Sequence, residues 1–122
     1  MNQRFSKNIA PFVKQELTAA CHASAVNNAQ QAFAHLERAH VLGQESTYWH
    51  VKVHCLMLLW ACRHRSAREA LGQVFRIIGA ATKTAFGWVP QGNTGGANVS
   101  PFRKMPIEPE LAEVIQKARV GL

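Results

Sequence analysis

At 122 residues the chain has room for one domain with a single core, and its 48% hydrophobic and 17% charged residues describe a globular protein, not a disordered one. A formal net charge of +7 favours acidic partners and says nothing about the fold. No stretch reaches the roughly 20 apolar residues of a membrane span: residues 53–62 come nearest, broken by His54 and followed by Arg63, His64 and Arg65.

Five helices are predicted in chain order. The first covers residues 8–26, with Ile9, Phe12, Val13, Leu17 and Ala20 at helical spacing and Pro11 in its first turn. After a turn at Asn27 and Asn28, the second covers residues 29–42, aligns Ala29, Ala32, Phe33, Leu36 and Ala39, and stops at Gly43. The third runs from Ser46 or Thr47 to Arg63. Its only polar side chains between Tyr48 and Cys62 are His50, Lys52 and His54, so it reads as a central helix covered on several sides, with Cys55 and Cys62 in the core. Ser66 and Glu69 form a capping box for the fourth, which runs through Leu71, Val74, Ile77, Ile78 and Ala81 to Phe86 and ends at Gly87. The fifth begins at Pro109, with Glu110 and Glu113 early and Lys117 and Arg119 late, as the helix dipole favours. Short turns between the first four predict an all-α fold of two antiparallel hairpins with tetratricopeptide-like stacking, followed by a long ordered loop and a C-terminal helix. No Trp-Leu-Gly signature supports a true repeat array.

Three places could carry chemistry. Glu37 and His40 form E-x-x-H on the second helix, and His50 and His54 form H-x-x-x-H on the third. These spacings place each pair on one helix face, and a tight turn at Gly43 allows the two faces to meet. Three imidazoles and a carboxylate suit a divalent transition metal. The alternative is a structural polar cluster, with His40 buried and bonded to Glu37 or a carbonyl. Seven acidic residues are too few for a di-iron centre.

The second place is the loop GNTGGANVSPF, residues 92–102. Gly95 and Gly96 permit backbone angles that line up amide donors around an anion, and Asn93, Thr94, Asn98, Ser100 and Arg103 add polar groups and charge. The alternative is an Ω-type connection pinned by Trp88, Phe102 and Met105. The third is the basic patch Arg63, His64, Arg65 and Arg68 at the turn before the fourth helix. It would suit a phosphate or an acidic surface, or simply face water. No catalytic residues are recognisable: no G-x-S-x-G elbow and no cysteine in a nucleophile setting.

HLERAHVLGQ (His35 to Gln44), the H-V-K-V-H of His50 to His54, AATKTAFGWVP and GNTGGANVSPFRKMPI together resemble domain of unknown function family 3703 across nearly the whole chain. The resemblance implies a small bacterial helical protein, of a kind sometimes carried on mobile DNA and near metal-resistance genes. It supplies no catalytic residues. Three cysteines at irregular spacing and an N-terminus without an apolar signal core point to the cytoplasm. The sequence therefore predicts a cytoplasmic binding or accessory module, with a divalent metal-binding protein as the alternative and an enzyme with a glycine-rich loop over a pocket as the third reading. The expected partner is a second copy of the chain, because the helices of so small a domain are not expected to cover all of Trp49, Trp60 and Phe86. A protein partner or a small anionic ligand comes next, nucleic acid is the lesser candidate, and no membrane is expected.

Overall fold

A computed structural model describes residues 3–83, 95–96 and 105–121. Five helices account for nearly all of them: α1 (Gln3–Ala25), α2 (Ala29–Gly43), α3 (Thr47–Arg63), α4 (Ala67–Lys83) and α5 (Pro109–Val120). The fold is all-α, and the helices pack in pairs, α1 on α2 and α3 on α4, with α2 against α3 joining the two hairpins. No described helix is long and apolar enough to cross a membrane.

Local chemistry sets the helix ends. Asn28 caps α2 by accepting from Gln31 N at 3.1 Å, and Ser46 caps α3 by accepting from Trp49 N at 3.3 Å. Ser66 accepts from Glu69 N at 3.3 Å, which is one half of the capping box at α4. Gly121 ends α5 in the left-handed region. Two boundaries differ from the sequence expectation. α1 begins at Gln3 because Phe5 is buried and draws the preceding turn into the core; Pro11 is therefore inside the helix, on its exposed side. Gly43 is not a left-handed stop but the last residue of α2, followed by Gln44 in right-handed helical geometry. It is glycine for space, since a Cβ there would lie 2.7 Å from the Cβ of Trp49.

The core comes from Phe5, Ile9 and Val13 of α1, Leu36, Ala39 and Leu42 of α2, Trp49, Val53 and Met57 of α3, and Leu111, Ile115 and Ala118 of α5. Trp49 is buried and donates to Ser6 O at 3.0 Å, and half-buried Trp60 donates to Ala29 O at 3.0 Å. Of the three aromatic groups expected to be incompletely covered, Trp49 is therefore buried and Trp60 only partly so, while Phe86 lies outside the described residues. Arg38 ties three helices together through Glu16 (3.2 Å), Glu108 (2.7 Å) and Glu110 (2.6 Å).

α3 is covered on several sides, with α1 and α2 on one flank and α4 on another, and leaves Tyr48, Lys52, Cys55, Leu59 and Cys62 as an exposed stripe. α4 turns its apolar side outward. Leu71, Val74, Phe75 and Ile78 are exposed, while Gln73 is fully buried. Among the described helices α4 touches α3 alone, and its described residues are absent from the main core. Its polar face turns inward because a polar site waits there.

Candidate metal centre

His40 on α2 and His50 and His54 on α3 are all buried, at 2%, 8% and 2% exposure. One ring nitrogen from each lies within 4.8 Å of the others. The close approach of α2 to α3 at Gly43 and Trp49 brings His40 opposite the one-turn pair of α3. His40 Nε2 and His54 Nε2 are 3.1 Å apart. Two imidazole nitrogens bound about 2.05 Å from one tetrahedral ion would lie about 3.3 Å apart, so the observed gap is close to that of a shared ion.

α4 fixes the protonation of His54. Gln73 Nε2 donates to Glu69 Oε2 at 2.6 Å and to the carbonyl oxygen of Gly95 at 2.9 Å. Both of these partners accept, which sets the amide's orientation and leaves Oε1 facing His54 Nδ1 at 2.6 Å. His54 Nδ1 must carry the proton. Burial pushes the His54 pKa down to about 4, against the opposing pull of the Gln73 bond and with help from the positive charge of Arg76. The ring is neutral, and its Nε2 presents a bare lone pair to His40, whose Nε2–H donates to it.

Gly95, from the glycine-rich loop, closes the same site. It is buried with φ +86, and a Cβ built on it would fall 2.6 Å from His40 Cδ2 and 2.9 Å from His40 Nε2. Both the backbone angle and the lack of space demand glycine. The histidine cluster and the loop, separate candidates in the sequence, thus meet in one place. What Gly95 gives Gln73 is an accepting carbonyl. Gly96 is also buried. Asn93, Thr94, Asn98, Ser100 and Arg103, with the proposed pins Trp88 and Phe102, lie outside the described residues.

Glu37 is not part of the cluster. It is half-buried and borders a surface hollow with Ala34, Arg38, Val41, Ile107 and Leu111. Arg63, His64, Arg65 and Arg68 are exposed at the α3–α4 turn, where His64 rests on Trp60 with ring centroids 4.8 Å apart. All three cysteines are exposed free thiols, so Cys55 and Cys62 do not pack in the core as expected.

The model of protein of unknown function family DUF3703 matches residues 7–115, nearly the whole chain. The chain belongs to this family. No curated protein and no solved structure matches it. In this DUF3703 member the buried set of three imidazoles, one already in the tautomer that offers Nε2, can act as a nitrogen-donor site for a borderline metal ion. Sequence reasoning missed Gln73 and Glu69 as members of the site. The available signal was that Glu69, Gln73 and Arg76 share one face of α4 opposite its apolar stripe.

Proposed function

We propose that the protein binds one divalent transition-metal ion through His40, His50 and His54, in an accessory or metal-resistance role. The observation that carries this reading is the Gln73 clamp on His54 Nδ1, which leaves Nε2 bare and aimed at a second histidine nitrogen 3.1 Å away. Metal-bound histidines are oriented by an outer partner on the other ring nitrogen in the same manner. The ion would take the place of the single proton that lies between His40 Nε2 and His54 Nε2, and that proton would pass to His40 Nδ1, so that both rings stay neutral. A purely structural cluster has less need to bury three imidazoles side by side, since each polar ring costs desolvation that apolar side chains of equal volume do not.

The test is competition titration of the purified, metal-stripped protein with zinc, nickel and cobalt against a chromophoric chelator. One ion per chain is expected. His40→Ala and His54→Ala should weaken binding by more than about 100-fold, and Gln73→Leu by about 10–100-fold, the usual effect of losing an outer partner. His22→Ala, at an exposed position on α1, should bind as the parent does. Equal binding by the parent and His54→Ala would reduce the cluster to a structural one.

A further inference from the structure

Resting on that metal reading, we propose that the ion keeps one coordination position open, and that a small anion from solution occupies it. The argument begins with a donor inventory. The chain has six histidines, three cysteines, seven glutamates and no aspartate. All of these lie among the described residues, and only His40, His50 and His54 come together as a group.

The other donors are engaged elsewhere. His35 is bonded to Glu16 at 2.8 Å, Glu45 to Arg119 at 2.7 Å, Glu108 and Glu110 to Arg38, and Glu113 to Lys117 at 3.0 Å. Glu69, the carboxylate nearest the site, accepts from Gln73, so it stands one residue behind the imidazoles. The cysteines, His22 and His64 are exposed, and Glu37 borders the hollow beside α5. Three nitrogens are therefore the histidine, cysteine and glutamate donors that the chain brings to the ion, and four-coordinate ions with three protein ligands keep an exchangeable fourth position.

Charge decides what fills it. Neutral imidazoles bring no negative charge to balance a dication in a buried place. Arg76 adds a positive charge close enough to act on His54, and Glu69 offsets only one charge from behind Gln73. An uncompensated buried charge is costly, so the fourth ligand is hydroxide or another small anion in preference to neutral water.

The experiment uses the full chain loaded with cobalt(II), whose visible bands report coordination. Azide is titrated in, the absorption is followed, and bound cobalt is measured after gel filtration. A saturable shift and intensification of the visible bands, with one cobalt per chain retained, is expected. Cobalt that stays bound while its spectrum ignores a large molar excess of azide would overturn the open position and leave the metal reading standing. Cobalt stripped away by azide would overturn it as well, since the ion would then prefer the anion to the protein. Failure to take up cobalt, nickel or zinc at all would remove both.

Discussion

At the scale of single residues, His54 makes the site's most measurable statement. Its pKa in the fold is about 4, against an ordinary 6.5 in the unfolded chain. Between those values the unfolded chain binds the extra proton, so stability rises with pH through this window. The contribution is complete above about pH 6.5 and is lost as pH falls toward 4, amounting to roughly 3 kcal/mol. The groups that face His54 are His40 from α2, His50 on its own helix, and Gln73 backed by Glu69, with the charge of Arg76, from α4. Denaturant midpoints of the metal-free protein should fall steadily from about pH 7 to about pH 5. Midpoints that stay level across that range would mean His54 is not held neutral. The sequence made the three histidines legible because spacings of three and four are readable. It also placed Glu37 beside His40, yet a three-residue step leaves Glu37 about 60° round the helix from His40, on the side that borders the hollow beside α5. Gln73 and Gly95 were out of reach, since they join the site across 19 and 22 residues through bonds no local pattern encodes.

Between elements, the site depends on how closely α2 approaches α3. That distance is set where the two helices turn, at Gly43 against Trp49, and His40 lies one turn before Gly43 while His50 follows Trp49 directly. Gly43→Ala gains the usual helix preference of alanine over glycine, about 0.5–1 kcal/mol, but places a Cβ 2.7 Å from the rigid Cβ of a buried tryptophan. Val13 stands on another side at 3.5 Å, so the added carbon has little freedom to move away. Overpacking of this kind costs about 1–3 kcal/mol, and the clash should win. A lower denaturant midpoint together with weaker metal binding is expected, because splaying the helices separates His40 from His54. A midpoint equal to or above the parent's would show that the contact does not set the spacing. Helix periodicity and capping residues were enough to locate α2, α3 and α5. They mislocated the start of α1, where Phe5 packs by tertiary contact, and they did not say which face of α4 turns inward. Amphipathicity reports that a helix has two faces; which one meets the neighbour depends on what the neighbour offers, and here α3 offers His54.

At the scale of the whole molecule, α4 turns an apolar stripe toward solvent. Phe75 is 69% exposed, Ile78 63%, Leu71 62% and Val74 44%, a stripe spaced at three and four residues along one side. Leu59 on α3 is exposed as well. A run of four large apolar residues on one helix is more than the scattered exposure normal for a monomer. We propose that the occupant is a second copy of the chain. The stripe is centred on the Val74–Phe75 bond, with Leu71 and Ile78 equidistant from it. Two α4 helices crossing antiparallel about a two-fold axis would therefore set Leu71 of each copy against Ile78 of the other and bring the Val74 and Phe75 pairs together at the centre. An isologous contact requires self-matching of this kind. The metal sites would be undisturbed, since Glu69 and Gln73 point to the opposite side of the helix. Light scattering on the purified protein should give a dimer mass at micromolar concentration. Phe75→Glu, which sets two like charges at the centre, should give a monomer that still binds one metal ion. A parent protein that remains monomeric as its concentration is raised would remove the second copy as occupant. If Phe75→Glu stays dimeric, the contact lies elsewhere on the molecule.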